Sequence, residues 1–123
     1  MAKKNKDNLN IIDSEIIIYQ TEDGKTKIDV KFEDETVWLT QAQLCELYQI
    51  SKSNISEHIK HIFEDEELEE KAVVRNFRTT VADGKNYNTI YYNLEMIISL
   101  GYRANFKIAT NFRRKLPNAL KSI

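Results

Sequence analysis

Two rhythms of apolar residues alternate along the chain, one of period two and one of period 3.6, and they divide it into strands and helices. In "SEIIIYQTEDGKTKIDVKFEDETVWLT" two β-type runs flank Asp23-Gly24, with Ile28, Val30 and Phe32 alternating with Lys27, Asp29 and Lys31. That alternation predicts a half-buried hairpin. A third short run, Thr36 to Leu39, adds a strand before Thr40, whose hydroxyl suits a helix N-cap. The rhythm then changes. Leu44, Leu47 and Tyr48 share one face of a helix running from Gln41 to Tyr48. Gln49-Ile50 makes a turn, Ser51 caps a second helix, and Ile55, Ile59 and Ile62 keep that helix amphipathic until it ends near Phe63.

Downstream, "EDEELEE" places six carboxylates in seven residues and reads as a solvated linker or short exposed helix. The strand rhythm returns in "AVVRNFRTTVADGKNYNTIYYNL", with Asp83-Gly84 as a two-residue hairpin turn. On that turn Phe77 opposes Ile90 and Arg75 opposes Tyr92, leaving Arg78, Thr80, Tyr87, Thr89 and Tyr91 on a second, cationic and hydroxylic face. Asn93 caps a helix through "LEMIISL" that stops at Gly101. Asn105 caps another, with Phe106, Ala109, Phe112 and Leu116 at near-helical spacing and Pro117 at its end.

The expected fold class is α+β: an N-terminal β-hairpin followed by a winged helix-turn-helix-like domain and C-terminal helices. Residues 1–12 are expected to form a disordered tail, 13–116 one domain, and 117–123 a C-terminal tail. With 123 residues, 41% hydrophobic and 30% charged, the chain suits one soluble core. Its longest apolar runs fall far short of the roughly 20 residues that cross a bilayer. Asp13 and Glu15 interrupt any signal-peptide core, and the lone Cys45 has no disulfide partner, so the expected compartment is the cytoplasm.

Charge changes the picture more than composition does. The net charge of −1 does not suggest a nucleic-acid binder, but residues 1–70 carry 8 Lys+Arg against 17 Asp+Glu, a net −9, whereas residues 71–123 carry 10 against 2, a net +8. Such asymmetry suggests an oriented surface.

The candidate chemistry lies on the second helix. Steps of about 100° per residue turn Ser53, Glu57 and Lys60 outward, flanked by Asn54, Ser56 and His61. In a major groove Asn54 pairs with adenine, Glu57 accepts from a cytosine amine, and Lys60 meets guanine or phosphate. An ordinary solvated face is the competing reading, and Glu57 favours it. Cys45 provides a small residue where the second helix crosses the first, and it reads as a buried core position. Gln49 stands where such turns commonly place Gly for a positive φ. After the helix pair, the hairpin tip Lys85 and the strand residue Arg78 are the expected phosphate contacts.

No catalytic constellation is visible. His58 and His61 lie three apart with no third ligand, and there is no Walker loop, dinucleotide fingerprint or GxSxG elbow. No enzyme activity, metal, cofactor or small-molecule substrate is expected.

"VWLTQAQLCELYQISKSNISEHIKHIF" followed by "ADGKNYNTIYYNLEMIISLGYRAN" resembles the N-terminal region of the RhuM family of bacterial virulence-associated and mobile-element proteins. The resemblance runs from Thr36 to Arg113, and "YYNLEMIISLGYR" is its most specific part. It implies a DNA-binding module akin to those of phage antirepressor-type proteins. The chain departs from the family at "RRKLPNALKSI", and family members continue into a long further region, whose activities the resemblance does not extend to this sequence.

The reading is therefore a protein that binds double-stranded DNA sequence-specifically or semi-specifically, in a transcriptional role. Ser51, Lys52, Ser53, Asn54, Ser56, Glu57, Lys60 and His61 lie on the reading helix, Arg78 and Lys85 on the wing, and Arg103, Lys107, Arg113 and Arg114 form a backbone clamp together with Lys115. The alternative is an interaction or dimerisation module without DNA contact, in which the −9 and +8 halves pair between chains. A homodimer is left open under either reading.

Overall fold

A computed structural model describes residues 15–80 and 83–117 of the chain; the side chains of Thr79 and Thr80 lie outside that description. The expected N-terminal tail falls on residues outside it. The strands are β1 (Glu15–Gln20), β2 (Lys27–Glu33), β3 (Thr36–Thr40), β4 (Val74–Thr80) and β5 (Asn86–Asn93). The helices are α1 (Gln41–Tyr48), α2 (Lys52–Glu64), α3 (Glu70–Val73), α4 (Leu94–Ala104) and α5 (Phe106–Lys115). The strands form one antiparallel sheet in the order β1-β2-β3-β5-β4, so this is an α+β fold.

The sheet buries one face under the helices. Tyr19, Ile28, Val30, Val37 and Leu39 meet Leu44, Leu47, Tyr48, Ile55, Ile62, Ile97, Leu100 and Phe112 in a single core. The predicted alternation of β2 is present: Ile28 and Val30 are buried, while Lys27 and Asp29 are exposed. Predicted caps are also in place. Thr40 Oγ1 accepts from the Gln43 amide while the Gln43 side chain accepts from the Thr40 amide, a reciprocal box. Ser51, Asn93 and Asn105 cap α2, α4 and α5 through their side-chain oxygens. Helix α5 ends at Lys115, two residues before Pro117.

Gln49 adopts φ +56°, ψ +46°, the left-handed conformation that the α1–α2 turn requires. A side chain there costs about 1–2 kcal/mol, so replacing it with glycine removes strain and gives back only part of the gain through unfolded-state entropy. Urea unfolding of Gln49→Gly is expected to show a stabilisation of about 0.5–1 kcal/mol.

Several expectations change. Helix α4 does not stop at Gly101 but runs through it to Ala104, because Gly101 serves close packing: a Cβ there would lie 2.2 Å from the Ala109 Cβ and 2.6 Å from the Tyr48 hydroxyl. That hydroxyl donates to the Ile97 carbonyl inside the core. The acidic run does not simply span a linker, since its last residue opens α3, which delivers Val73 to the core. Cys45 is half-buried rather than enclosed. Phe106 departs from the apolar face of α5; it is 63% exposed and stacks on Tyr102 with ring centroids 5.5 Å apart.

Burial pushes the Tyr48 phenol far above its ordinary value of 10.0. A proton held more tightly in the folded state gives stability that is whole below the ordinary tyrosine range and is lost progressively as pH rises from there toward the raised folded-state value. Alkaline unfolding should therefore steepen above about pH 10. Tyr48→Phe should flatten that slope while costing about 1 kcal/mol at neutral pH through the lost hydrogen bond. Urea titrations at several pH values check both effects.

Candidate nucleic-acid interface

The α1–α2 turn and the cap at Ser51 set the direction of α2, and Ile55, Ile59 and Ile62 lock its inner face into the core. Its outer face is open: Ser51, Lys52, Ser53, Asn54, Ser56, Glu57, Lys60 and His61 are all exposed. Two weak intrahelical pairs lie along it, Lys60 with Glu64 at 4.0 Å and His61 with Glu57 at 3.6 Å. Pairs this exposed hold their side chains loosely. Gln41 Nε2, at the start of α1, donates to Ser56 Oγ at 2.7 Å. Thr40, one residue earlier, lies opposite Tyr91 on β5, so a short chain of neighbours joins the α2 surface to the base of the hairpin.

The β4–β5 hairpin differs from expectation by one residue in register. β4 ends at Thr80 and β5 starts at Asn86, so five residues connect them rather than two. Asp83 and Gly84 lie in that connection, with the Lys85 amide donating to Asp83 Oδ1 at 3.0 Å. Asn76 opposes Ile90, Phe77 opposes Thr89, Arg78 opposes Asn88 and Arg75 opposes Tyr91. A one-residue shift on one strand regroups the faces. Arg78 now shares a face with Asn76, Asn88 and Ile90. That is also the face of Val74 and Tyr92, which pack against the core at the hairpin's base. The hairpin's helix side therefore carries Arg78, two amides and a half-exposed Ile90, not the hydroxyl-rich set expected with it.

Phe77, Arg75 and Tyr91 lie on the opposite face of the sheet, where they build a feature the sequence reading missed. The Trp38, Phe77 and Tyr91 rings meet edge-on at centroid distances of 5.4 and 5.1 Å. Arg75 lies 4.5 Å over the Trp38 ring, and Lys31 lies 4.7 Å over Phe77. Arg75 is also held by Asp34 and by Glu33, and the Trp38 indole donates to the Glu33 carbonyl at 3.0 Å. This ladder leaves Trp38 only 3% exposed and acts as a small second core. The alternation of Trp38 with Val37 and Leu39 was the available signal, but it becomes readable only in the correct hairpin register.

The C-terminal cations are divided. Arg103 is engaged within the chain, to Asp65 at 3.3 Å and Glu67 at 2.9 Å, so part of the acidic run is its counter-charge. Arg114 donates to Asn111 Oδ1, and Lys115 pairs with Glu22 at 3.1 Å. Lys107 is exposed and borders a shallow depression that also includes Gln49 at the α1–α2 turn. Arg113 is half-buried. Among the described residues no group of three or more His, Cys, Asp or Glu could hold a metal ion, and no helix is long and apolar enough to cross a membrane. Burial pushes the Cys45 thiol up, away from the thiolate form that a nucleophile needs.

These observations define an α+β protein with an exposed, capped helix following a left-handed turn and a cation-bearing hairpin on the same sheet. Residues 72–123 match the model of the virulence protein RhuM family; the resemblance drawn from the sequence, Thr36 to Arg113, overlaps this match only over 72–113, and the match runs on through "RRKLPNALKSI", the stretch expected to depart from the family. The match spans the second half of α3, the β4–β5 hairpin, α4 and α5, and leaves α1 and α2 outside it. Searches of curated proteins and of solved structures gave no significant match.

Proposed function

We propose that this protein binds double-stranded DNA as a winged helix-turn-helix module, with α2 as the reading helix and the β4–β5 hairpin as the wing. The order β3-α1-α2-α3-β4-β5, with β3 and β4 flanking β5 in the sheet, supports this reading by placing a helix pair ahead of a hairpin. The observation that carries it is the open outer face of α2, where Asn54, Glu57 and Lys60 are exposed while the helix's opposite side is fixed in the core. Asn54 is suited to adenine and Glu57 to the cytosine amine, with Lys60 reaching guanine or phosphate. Arg78, on the wing's helix side, and Lys85 at its tip are suited to the backbone. Lys107 and Arg113 add attraction, while Arg103 acts as a brace that holds the acidic run.

The rival in which acidic and basic halves pair between chains is less favoured. Arg103, Arg75 and Lys115 already have acidic partners inside the chain. A gel-shift titration on a random duplex pool at two salt concentrations tests the proposal. Binding that weakens steeply with salt supports it, and binding that is absent or indifferent to salt refutes it.

A further inference from the structure

Strand β1 is an edge of the sheet and pairs on one side only among the described residues. Its sequence, "EIIIYQ", has no proline, and its one charged residue, Glu15, stands at its end. Within β1 itself such an edge carries no proline or central charge to prevent another strand from adding to it. The register fixes which backbone groups are free. The Thr21 amide donates to the Thr26 carbonyl at 2.9 Å, so by alternation Tyr19, Ile17 and Glu15 exchange bonds with β2. The amides and carbonyls of Ile16, Ile18 and Gln20 therefore point to the open edge. Gln20 bears this out, because its carbonyl accepts from Lys115 Nζ at 3.0 Å. Among the described residues nothing caps Ile16 or Ile18 in this way, and their side chains are 55% and 59% exposed on the sheet's outer face.

We propose that β1 is the dimer interface of this protein, pairing antiparallel with β1 of a second copy about a twofold axis at Ile17. Centring on Ile17 sets Ile16 opposite Ile18 of the other copy, twice by symmetry, and each such pair exchanges both backbone bonds between groups that have no partner among the described residues. Centring on Ile18 would instead require the Gln20 carbonyl, which Lys115 occupies. The chosen register brings the exposed isoleucines of both copies into one apolar row. Glu15 of the second copy comes opposite Tyr19, clear of Lys115, which stays paired with Glu22 of its own chain. Both five-stranded sheets then continue as one, and the twofold is of the kind by which dimers present two copies of a site.

Light scattering of the full chain across a dilution series, without DNA, tests this independently of the function proposed above. The expected mass is twice the 14.4 kDa of one chain, falling to a single chain for Ile18→Lys with an unchanged circular dichroism spectrum. The register has its own readout. I17C in a C45S background should form an interchain disulfide on mild oxidation, because opposed residues in a non-hydrogen-bonded pair sit about 4.5 Å apart at Cα, within disulfide reach. A monomer at every concentration, a dimer that Ile18→Lys leaves intact, or a dimer in which I17C fails to cross-link would each overturn the proposal.

Discussion

Gly101→Ala should destabilise the protein by about 2 kcal/mol, against the usual gain of about 1 kcal/mol when alanine replaces glycine inside a helix. The reversal of sign comes from geometry. A Cβ at position 101 meets the Ala109 Cβ at 2.2 Å and the Tyr48 hydroxyl at 2.6 Å. The first contact is between groups fixed to two helix backbones, so α4 and α5 must separate. The second displaces a phenol whose hydroxyl is already committed to the Ile97 carbonyl. A midpoint temperature lower by roughly 10 °C follows for a domain of this size. G101A/A109G should recover part of the loss by removing the harder contact. A G101A variant as stable as the parent would show that the helices are not packed as described.

The second large effect concerns binding. On the proposed reading, Asn54→Ala removes a base contact worth about 1–3 kcal/mol of discrimination, about 5-fold to 150-fold in relative affinity, and relaxes preference at one base pair. Lys60→Ala, Arg78→Ala and Lys85→Ala act differently: each should weaken binding to all duplexes and reduce the steepness of the log–log salt dependence by about one unit where it contacts a phosphate. Arg103→Ala serves as a contrast, because its guanidinium is engaged by Asp65 and Glu67. It should leave the salt dependence nearly unchanged. Fluorescence anisotropy over a range of salt concentrations separates the classes.

What the sequence discloses here is chiefly what is local. Thr40, Ser51, Asn93 and Asn105 each cap the helix assigned to them, because capping needs only an oxygen within three residues of the amide it serves. The open face of α2 was legible for a related reason: three isoleucines at helical spacing define its inner side. Features set by distant packing were not legible. A glycine after an apolar run reads as a helix stop, yet Gly101 is there for a partner eight residues away in sequence and another on α1. The β2–β3 turn uses Asp34 and Glu35, both at positive φ, so no glycine marks it. The β4–β5 register depended on the length of a connection that its Asp-Gly pair made look shorter. That single residue moved Arg78 to the helix side and hid the Trp38 ladder. Arg103 looked available only because its counter-charges lie more than thirty residues away in sequence.

The proposed DNA binding requires that the outer side of α2 meet a duplex. Titrating isotope-labelled protein with a selected duplex, followed by amide chemical shifts, tests this most directly. Shifts concentrated at Ser53, Asn54, Glu57 and Lys60, with a second group at Arg78 and Lys85, are the predicted result. Shifts confined to the Trp38, Phe77 and Tyr91 side of the sheet, or none at saturating duplex, would contradict it.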